Sequence, residues 1–207
     1  MLEVHAFATP NSLKAVIALE ELGLDYELVA VNLRQGAQKT EAFKALNPNA
    51  KVPVLVDRSA AGELVMAESA AILVHLAEQA GKLLPQDASA RAKVFEQLFF
   101  HASGVSPAFL EAFLVSIQSG ATPEAKAKAT QELERVLGVL DQHLDQHAFV
   151  AGTDYSIADI AHFGWIWRHQ AMKVSLDKFP AVARWYAHVA ARPAVVAAIA
   201  KTIELAK

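Results

Sequence analysis

Three side chains able to hydrogen-bond crowd the mouth of a helical pattern in "ATPNSLKAV" (8–16): Thr9, Asn11 and Ser12. Groups of this kind can cap a helix, or they can donate to an anion held at its start. Asn11 can do both, because its amide oxygen accepts while its NH2 donates. A second cluster is Glu68-Ser69, a carboxylate followed by a hydroxyl at another strand-to-helix junction. Helix-start N–H groups there suit a carboxylate. A third is Val52-Pro53, where a strand begins. Proline cannot donate to a ladder and belongs at a strand end or bend. In a sheet that combines a parallel pair with a hairpin, the three corners can converge. Taken singly, Ser69 is a cap and Pro53 a bend; their combination with Glu68 points to a ligand.

Composition narrows the chemistry. The chain has 207 residues, 54% hydrophobic and 20% charged, with a net charge of -3 and no cysteine. A substantial core is expected, and nothing basic enough to suggest nucleic acid or an anionic membrane. Without cysteine there is no disulfide, thiolate metal site or cysteine nucleophile, so any thiol chemistry must use a thiol carried by a ligand. No charged-then-apolar leader opens the chain, and no apolar run approaches about 18 residues. A cytoplasmic protein is the expectation.

The elements that must position these residues fall into two patterns. "LEVHAF" (2–7) alternates as a strand, Asn11–Leu22 reads as a helix ended by Gly23, and "YELVAVN" (26–32) reads as a second strand. A polar loop with Gly36 leads to a short helical piece around Thr40–Leu46. "KVPVLVD" (51–57) and "LVMAE" (64–68), separated by "RSAAGE", read as an antiparallel hairpin. "SAAILVHLAEQAG" (69–81) is helical. The order β-α-β-α-β-β-α predicts parallel pairing of the first two strands. "KLLPQDAS" (82–89) reads as a linker, and every later segment has helical period. Gly104 and Pro107 predict a kink in 90–118. Thr122-Pro123 opens a helix with Leu133, Leu137, Leu140 and Leu144 on one stripe, and Ser156 with Asp159 forms a capping box. The predicted organisation is an α/β domain over 1–81, a linker over 82–89 and an all-helical domain over 90–207.

"TPNSLKAVIALEELGLDYE", "GAQKTEAFKALNPNAKVPVLVD" and "ESAAILVHLAE" resemble the thioredoxin-like N-terminal domain of cytosolic-type glutathione transferases, and "YSIADI" resembles the capping-box segment of that family's helical domain. Within the family, "TPN" followed by "GAQ" is most similar to the bacterial Nu-class, disulfide-reductase-type enzymes. Ser12 stands where those relatives usually carry glycine, and resembles instead the serine-type theta and zeta classes. The resemblance implies that Glu68 accepts from the α-ammonium of glutathione and that Ser69 holds the γ-glutamyl carboxylate. It implies a cis-proline at Pro53 that turns the Val52 backbone toward the cysteinyl unit, and a grip on the glycyl carboxylate by Gln38 and Lys39. It also implies a homodimer, a small electrophile or disulfide as acceptor, no metal, no nucleic acid and no membrane partner.

The thiol would then lie over "TPNS". A free thiol titrates near 8.5, and lowering it by two units takes about 2.7 kcal/mol of preferential thiolate binding. One charge-assisted hydrogen bond contributes roughly 1.5–3 kcal/mol, so a single donor suffices. Thr9 with Asn11 supplies it in the Nu-like reading, and Ser12 in the serine-type reading. The activity expected is conjugation of glutathione to small electrophiles or glutathione-dependent reduction of small disulfides. A zeta-like isomerase and a non-catalytic adaptor are the rival readings. "AKAKATQELER" loosely resembles the region from which Nu-like relatives place a basic side chain near glutathione; it offers Lys126 and Lys128 where an arginine is expected, with Arg135 further along, and none is assigned to the site. His143 and His147 read as a solvated helix end, and Phe99, Phe100, Phe109 and Phe113 as core or as the wall of an apolar acceptor site.

Overall fold

The computed structural model describes residues 1–58 and 62–207. Residues 59–61, within the "RSAAGE" segment, lie outside them. Two compact units form: Met1–Lys82 together with Ala191–Lys207, and Leu83–Ala190.

The first unit is built on a four-stranded sheet in the order β2-β1-β3-β4, with β1 at Leu2–Ala6, β2 at Tyr26–Ala30, β3 at Val54–Asp57 and β4 at Leu64–Met66. β1 runs parallel to β2, with Val4 opposite Leu28, and antiparallel to β3, with Val4 opposite Leu55. β3 and β4 are antiparallel. This is the thioredoxin-like arrangement that the resemblance implied, with β1 and β2 parallel as the element order predicted. Helix α1 (Pro10–Leu22) follows β1, α2 (Glu41–Leu46) follows two short 3-10 turns, and α3 (Ser69–Ala80) follows β4. α1 starts one residue earlier than the sequence pattern indicated. Pro10 takes the first helical position, where its missing N–H costs nothing, and Thr9 rather than Asn11 is the N-cap. Both α1 and α3 stop at a glycine in the left-handed region, Gly23 at φ 65° and Gly81 at φ 63°.

Beneath the loop that follows β2, Phe7, Val31, Phe43, Val52 and Val54 form a small apolar cluster joined by Leu33, Ala37 and Leu46. It fixes the 33–39 turns and the approach to β3 against one another.

The second unit is helical. Helix α4 (Ala88–Phe100) begins within the expected linker, because Asp87 caps it by accepting from the Ala90 N–H. A π-helical turn, His101–Val105, joins it to α5 (Ser106–Ile117). The expected kink is thus a widened turn in a continuous helix. Pro107 has no N–H to give, and the Ser106 N–H reaches back to the His101 carbonyl. Gly104 leaves room for the Phe100 ring, which a Cβ would meet at 3.1 Å. Ala88–Ile117 is long and apolar enough to cross a membrane by length and composition, the one such helix among the described residues. This differs from the sequence reading, which sought an unbroken apolar run. Val94, Leu98, Ala108 and Phe109 are nonetheless buried in the helical unit, while Phe99, Leu110, Phe113, Leu114 and Ile117 are exposed. The aromatic set of the sequence reading therefore divides: Phe109 is core, and Phe99 and Phe113 are surface.

Helices α6 (Pro123–Gln146), α7 (Ile157–Ile166) and α8 (Pro180–Ala190) complete this unit. The capping box opens α7 as expected. Asp159 also accepts from the Val150 N–H and the Trp185 indole N–H, at 2.9 and 2.8 Å. Burial pushes its carboxyl above the usual range against the pull of those donors.

The last helix, α9 (Pro193–Glu204), does not belong to the helical unit as the expected 90–207 boundary placed it. It packs along α1, with Arg192 bidentate to Glu21 at 2.6 and 2.8 Å and Lys201 on Glu20 at 2.6 Å. Helical period shows that a segment is a helix, not which neighbour receives its apolar face.

Candidate active site

The first unit contains two strand-to-helix corners, and they are finished differently. At the start of α1 the side chains satisfy one another. Thr9 Oγ1 accepts from the Ser12 N–H at 3.1 Å and donates to Ser12 Oγ at 3.0 Å. Ser12 Oγ also accepts from the Phe7 N–H at 3.3 Å. Ser12 is fully buried. Its hydroxyl ties the end of β1 to the first turn of α1, a task for which "TPNS" gave no signal. Thr9 is half-buried and serves as cap.

Asn11 is half-buried and takes no part in this capping. Its Oδ1 accepts from Lys14 Nζ at 2.8 Å. In its protonated form Lys14 can only donate, so the carboxamide presents its oxygen to it, and its NH2 is left to face elsewhere. Among the described residues nothing accepts from that NH2.

The start of α3 is finished otherwise. Its N-cap, Glu68, makes no side-chain cap bond, and its backbone sits at φ 67°, ψ 110°. A non-glycine residue held there is strained, and such strain persists only where surrounding structure imposes it. The Glu68 side chain is exposed. Among the described residues no side chain caps the first N–H groups of α3, and Ser69 beside them is half-buried, an arrangement suited to a carboxylate.

Lys14 joins the two corners. Its Nζ lies 2.8 Å from Asn11 Oδ1 and 3.5 Å from Ser69 Oγ. The residue is 1% exposed. Burial pulls its pKa down to about 7, against the nearby Glu68 carboxylate, which favours the charged form. The sequence pattern does not single out Lys14, since a lone lysine within a helical run reads as a solvated side chain. The signal available was its place in the first turn, three residues beyond Asn11 on the same face.

The Val52-Pro53 peptide bond is cis, as the resemblance implied, and Val52 is buried in the apolar cluster described above. Gln38 and Lys39 lie in the second 3-10 turn, Ala37–Lys39. Gln38 Oε1 is buried and has no hydrogen-bond partner among the described residues, and Lys39 is exposed. In the helical unit Arg135 is held bidentately by Glu132, and Lys126 and Lys128 are exposed. His143 and His147 stack at 4.4 Å between ring centroids, with the His147 ring nitrogen 2.9 Å from the His143 carbonyl. Burial and the neighbouring His147 lower the His143 pKa.

Residues 8–79 match the N-terminal domain of the glutathione S-transferases, and residues 99–193 match their C-terminal domain. The chain belongs to the glutathione transferase family. It is 35% identical to the disulfide-bond oxidoreductase YfcG of Escherichia coli over 97% of this chain and 95% of that protein. It is 34% identical to the disulfide-bond oxidoreductase YghU of the same organism, over 94% of this chain and 72% of that one. Among solved structures, a glutathione transferase from Pseudomonas putida with one glutathione disulfide bound per subunit superimposes with a TM-score of 0.91. Its identity is 35%, and the match covers 96% of this chain and 90% of that one. A family member from Pseudomonas fluorescens with two glutathiones bound gives a TM-score of 0.90 at 34% identity, covering 96% and 92%.

Proposed function

We propose that the protein is a glutathione-dependent thiol enzyme that reduces small disulfides through bound glutathione. The observation that carries this reading is the pairing of a free carboxamide NH2 on Asn11 with an open helix start at Ser69, joined in one network. A thiolate and a carboxylate of one ligand would answer the two corners. Glu68 would accept from the α-ammonium and Ser69 would hold the γ-glutamyl carboxylate. The Val52 backbone would pair with the cysteinyl unit. Gln38 and Lys39 would hold the glycyl carboxylate, Gln38 with its NH2 outward because its oxygen is buried.

Asn11 is the thiolate donor in this reading, with Thr9 beside it. Ser12 is given a structural role, since its hydroxyl is enclosed and already serves Phe7 and Thr9. With no cysteine in the chain, the electrons come from glutathione in this reading. One glutathione thiolate attacks a sulfur of the substrate disulfide, forming a mixed disulfide and expelling one thiolate. A second glutathione thiolate then attacks the glutathionyl sulfur, forming glutathione disulfide and releasing the second thiol. Two glutathiones are oxidised and one disulfide is reduced. The relatives named as disulfide-bond oxidoreductases, and the similar structures holding glutathione disulfide or two glutathiones, support this over conjugation.

The protein is proposed to work in the cytoplasm as a homodimer. The exposed apolar side chains of α4 and α5 form a surface suited to a second copy. Light scattering at micromolar concentration should give twice the 22.3 kDa chain mass. The deciding assay offers glutathione with either a small dialkyl disulfide or an activated aryl halide. Formation of glutathione disulfide at a rate well above conjugation is expected. Conjugation alone would make the protein a simple transferase, and binding of glutathione with turnover of neither would make it an adaptor.

A further inference from the structure

We propose that Lys14 is a positioning residue of the thiol site: its buried Nζ, shared between Asn11 Oδ1 and Ser69 Oγ, fixes the Asn11 carboxamide with its NH2 toward the ligand sulfur. The inference rests on the reading of Asn11 as thiolate donor.

A carboxamide on a helix surface can present either end, since both rotamers are sterically alike. What selects one is the neighbour. The Lys14 ammonium has donors and no acceptor, and it lies 2.8 Å from Asn11 Oδ1. With the amide reversed, two donor groups would face each other in a buried place, at a cost typical of an unsatisfied polar group. A cation on the carbonyl oxygen also polarises the amide, which makes its N–H a stronger donor. The same Nζ reaches 3.5 Å to Ser69 Oγ, on the opposite corner. One side chain therefore sets the donor for the sulfur and touches the group that receives the carboxylate. A helix surface offers a lysine many solvated rotamers, yet this one is 1% exposed. Burying a lysine this fully is costly unless its head is paired, and Asn11 Oδ1 and Ser69 Oγ are among its partners here.

The test is a double-mutant cycle read on the pKa of the bound glutathione thiol, from thiolate absorbance against pH. Asn11→Ala alone should raise that pKa by about one to two units. Lys14→Met, which keeps an unbranched apolar chain and removes the ammonium, should raise it by a comparable amount. In the Asn11→Ala background Lys14→Met should add little, because Lys14 acts through Asn11. A merely structural lysine would lower the melting temperature equally in both backgrounds and leave the thiol pKa where it was; that result overturns the proposal. An additive effect on the thiol also overturns it, since Lys14 would then act on the sulfur directly. If Asn11→Ala itself leaves the thiol unchanged, the reading of the site fails first and is recognised as such. Should Lys14→Met not fold, the wild-type complex with glutathione decides. Nζ held on one Asn11 side-chain atom with the other atom facing sulfur is the expected geometry. Nζ withdrawn from Asn11, or on the atom facing sulfur, refutes the proposal.

Discussion

The starts of α1 and α3 are the same kind of corner put to opposite uses. α1 is closed by its own residues: Thr9 caps it, and Ser12 seals the cap to the end of β1. α3 has no side-chain cap and is entered through a strained, exposed Glu68. A closed corner gives stability and a fixed platform. An open one gives up some stability and keeps its N–H groups for a ligand. Asn11 stands one residue inside the closed corner, freed from capping by Thr9. That is why the same stretch both anchors a helix and presents a donor.

Reciprocal substitutions within the closed corner give the sharpest break. Asn11→Ala should cost roughly 1.5–3 kcal/mol of thiolate stabilisation and slow turnover at neutral pH, and it should also lower the melting temperature, since buried Lys14 loses its 2.8 Å partner. Ser12→Ala should act on stability alone. It leaves the Phe7 N–H without its acceptor and should cost about 1–3 kcal/mol of stability, with the bound thiol pKa unchanged. Thiolate absorbance and thermal melts on both variants check the pair. A raised thiol pKa in Ser12→Ala would restore Ser12 as the donor.

Lys14, between the corners, should mark the protein's stability against pH. Its folded pKa, about 7, lies below that of an unfolded lysine, near 10.4. Between these values the unfolded chain binds more protons, so stability rises with pH. The penalty for the buried charge is felt in full below about pH 7. From pH 7 to 9 the group should add about 2 kcal/mol. Denaturant titrations of wild type and Lys14→Met at both ends of that window should show the rise in the first and its loss in the second.

At the open corner the effects fall on binding. Glu68→Ala and Ser69→Ala should each weaken glutathione binding by more than about 1 kcal/mol, while melting changes little, since neither side chain caps α3. Calorimetry that finds unchanged affinity in both would remove this corner from the site. The smallest effect separates strain from contact. Glu68→Gly should be more stable than Glu68→Ala by about 0.5–1 kcal/mol, because only glycine tolerates the positive φ without a Cβ penalty. Paired melts of the two variants measure it.

Alternating apolar residues, glycine stops and the β-α-β-α-β-β-α order imposed the sheet with its parallel and antiparallel pairs, because period and connection length leave few topologies. Local hydrogen-bonding chemistry made the Ser156–Asp159 capping box legible, since all its partners lie within a few residues. The starts of α1 and α3 were legible as strand-to-helix junctions from the change of period, whereas the cis bond at Pro53 was implied by the family resemblance. What required the tertiary structure was every relation across long separations or between equivalent local choices. Thr9 and Asn11 are both good caps, and only Pro10 in the first helical position, with Ser12 buried beneath Thr9, decided between them. α9 reads as one more helix of a helical region, and only the partners of its apolar face and of Arg192 placed it on α1. Lys14 is one of many lysines in the sequence. Burial of its stem and the approach of Ser69, fifty-five residues away, turned it into the link between corners. Burial and pairing are properties of the folded chain, and no local pattern encodes them.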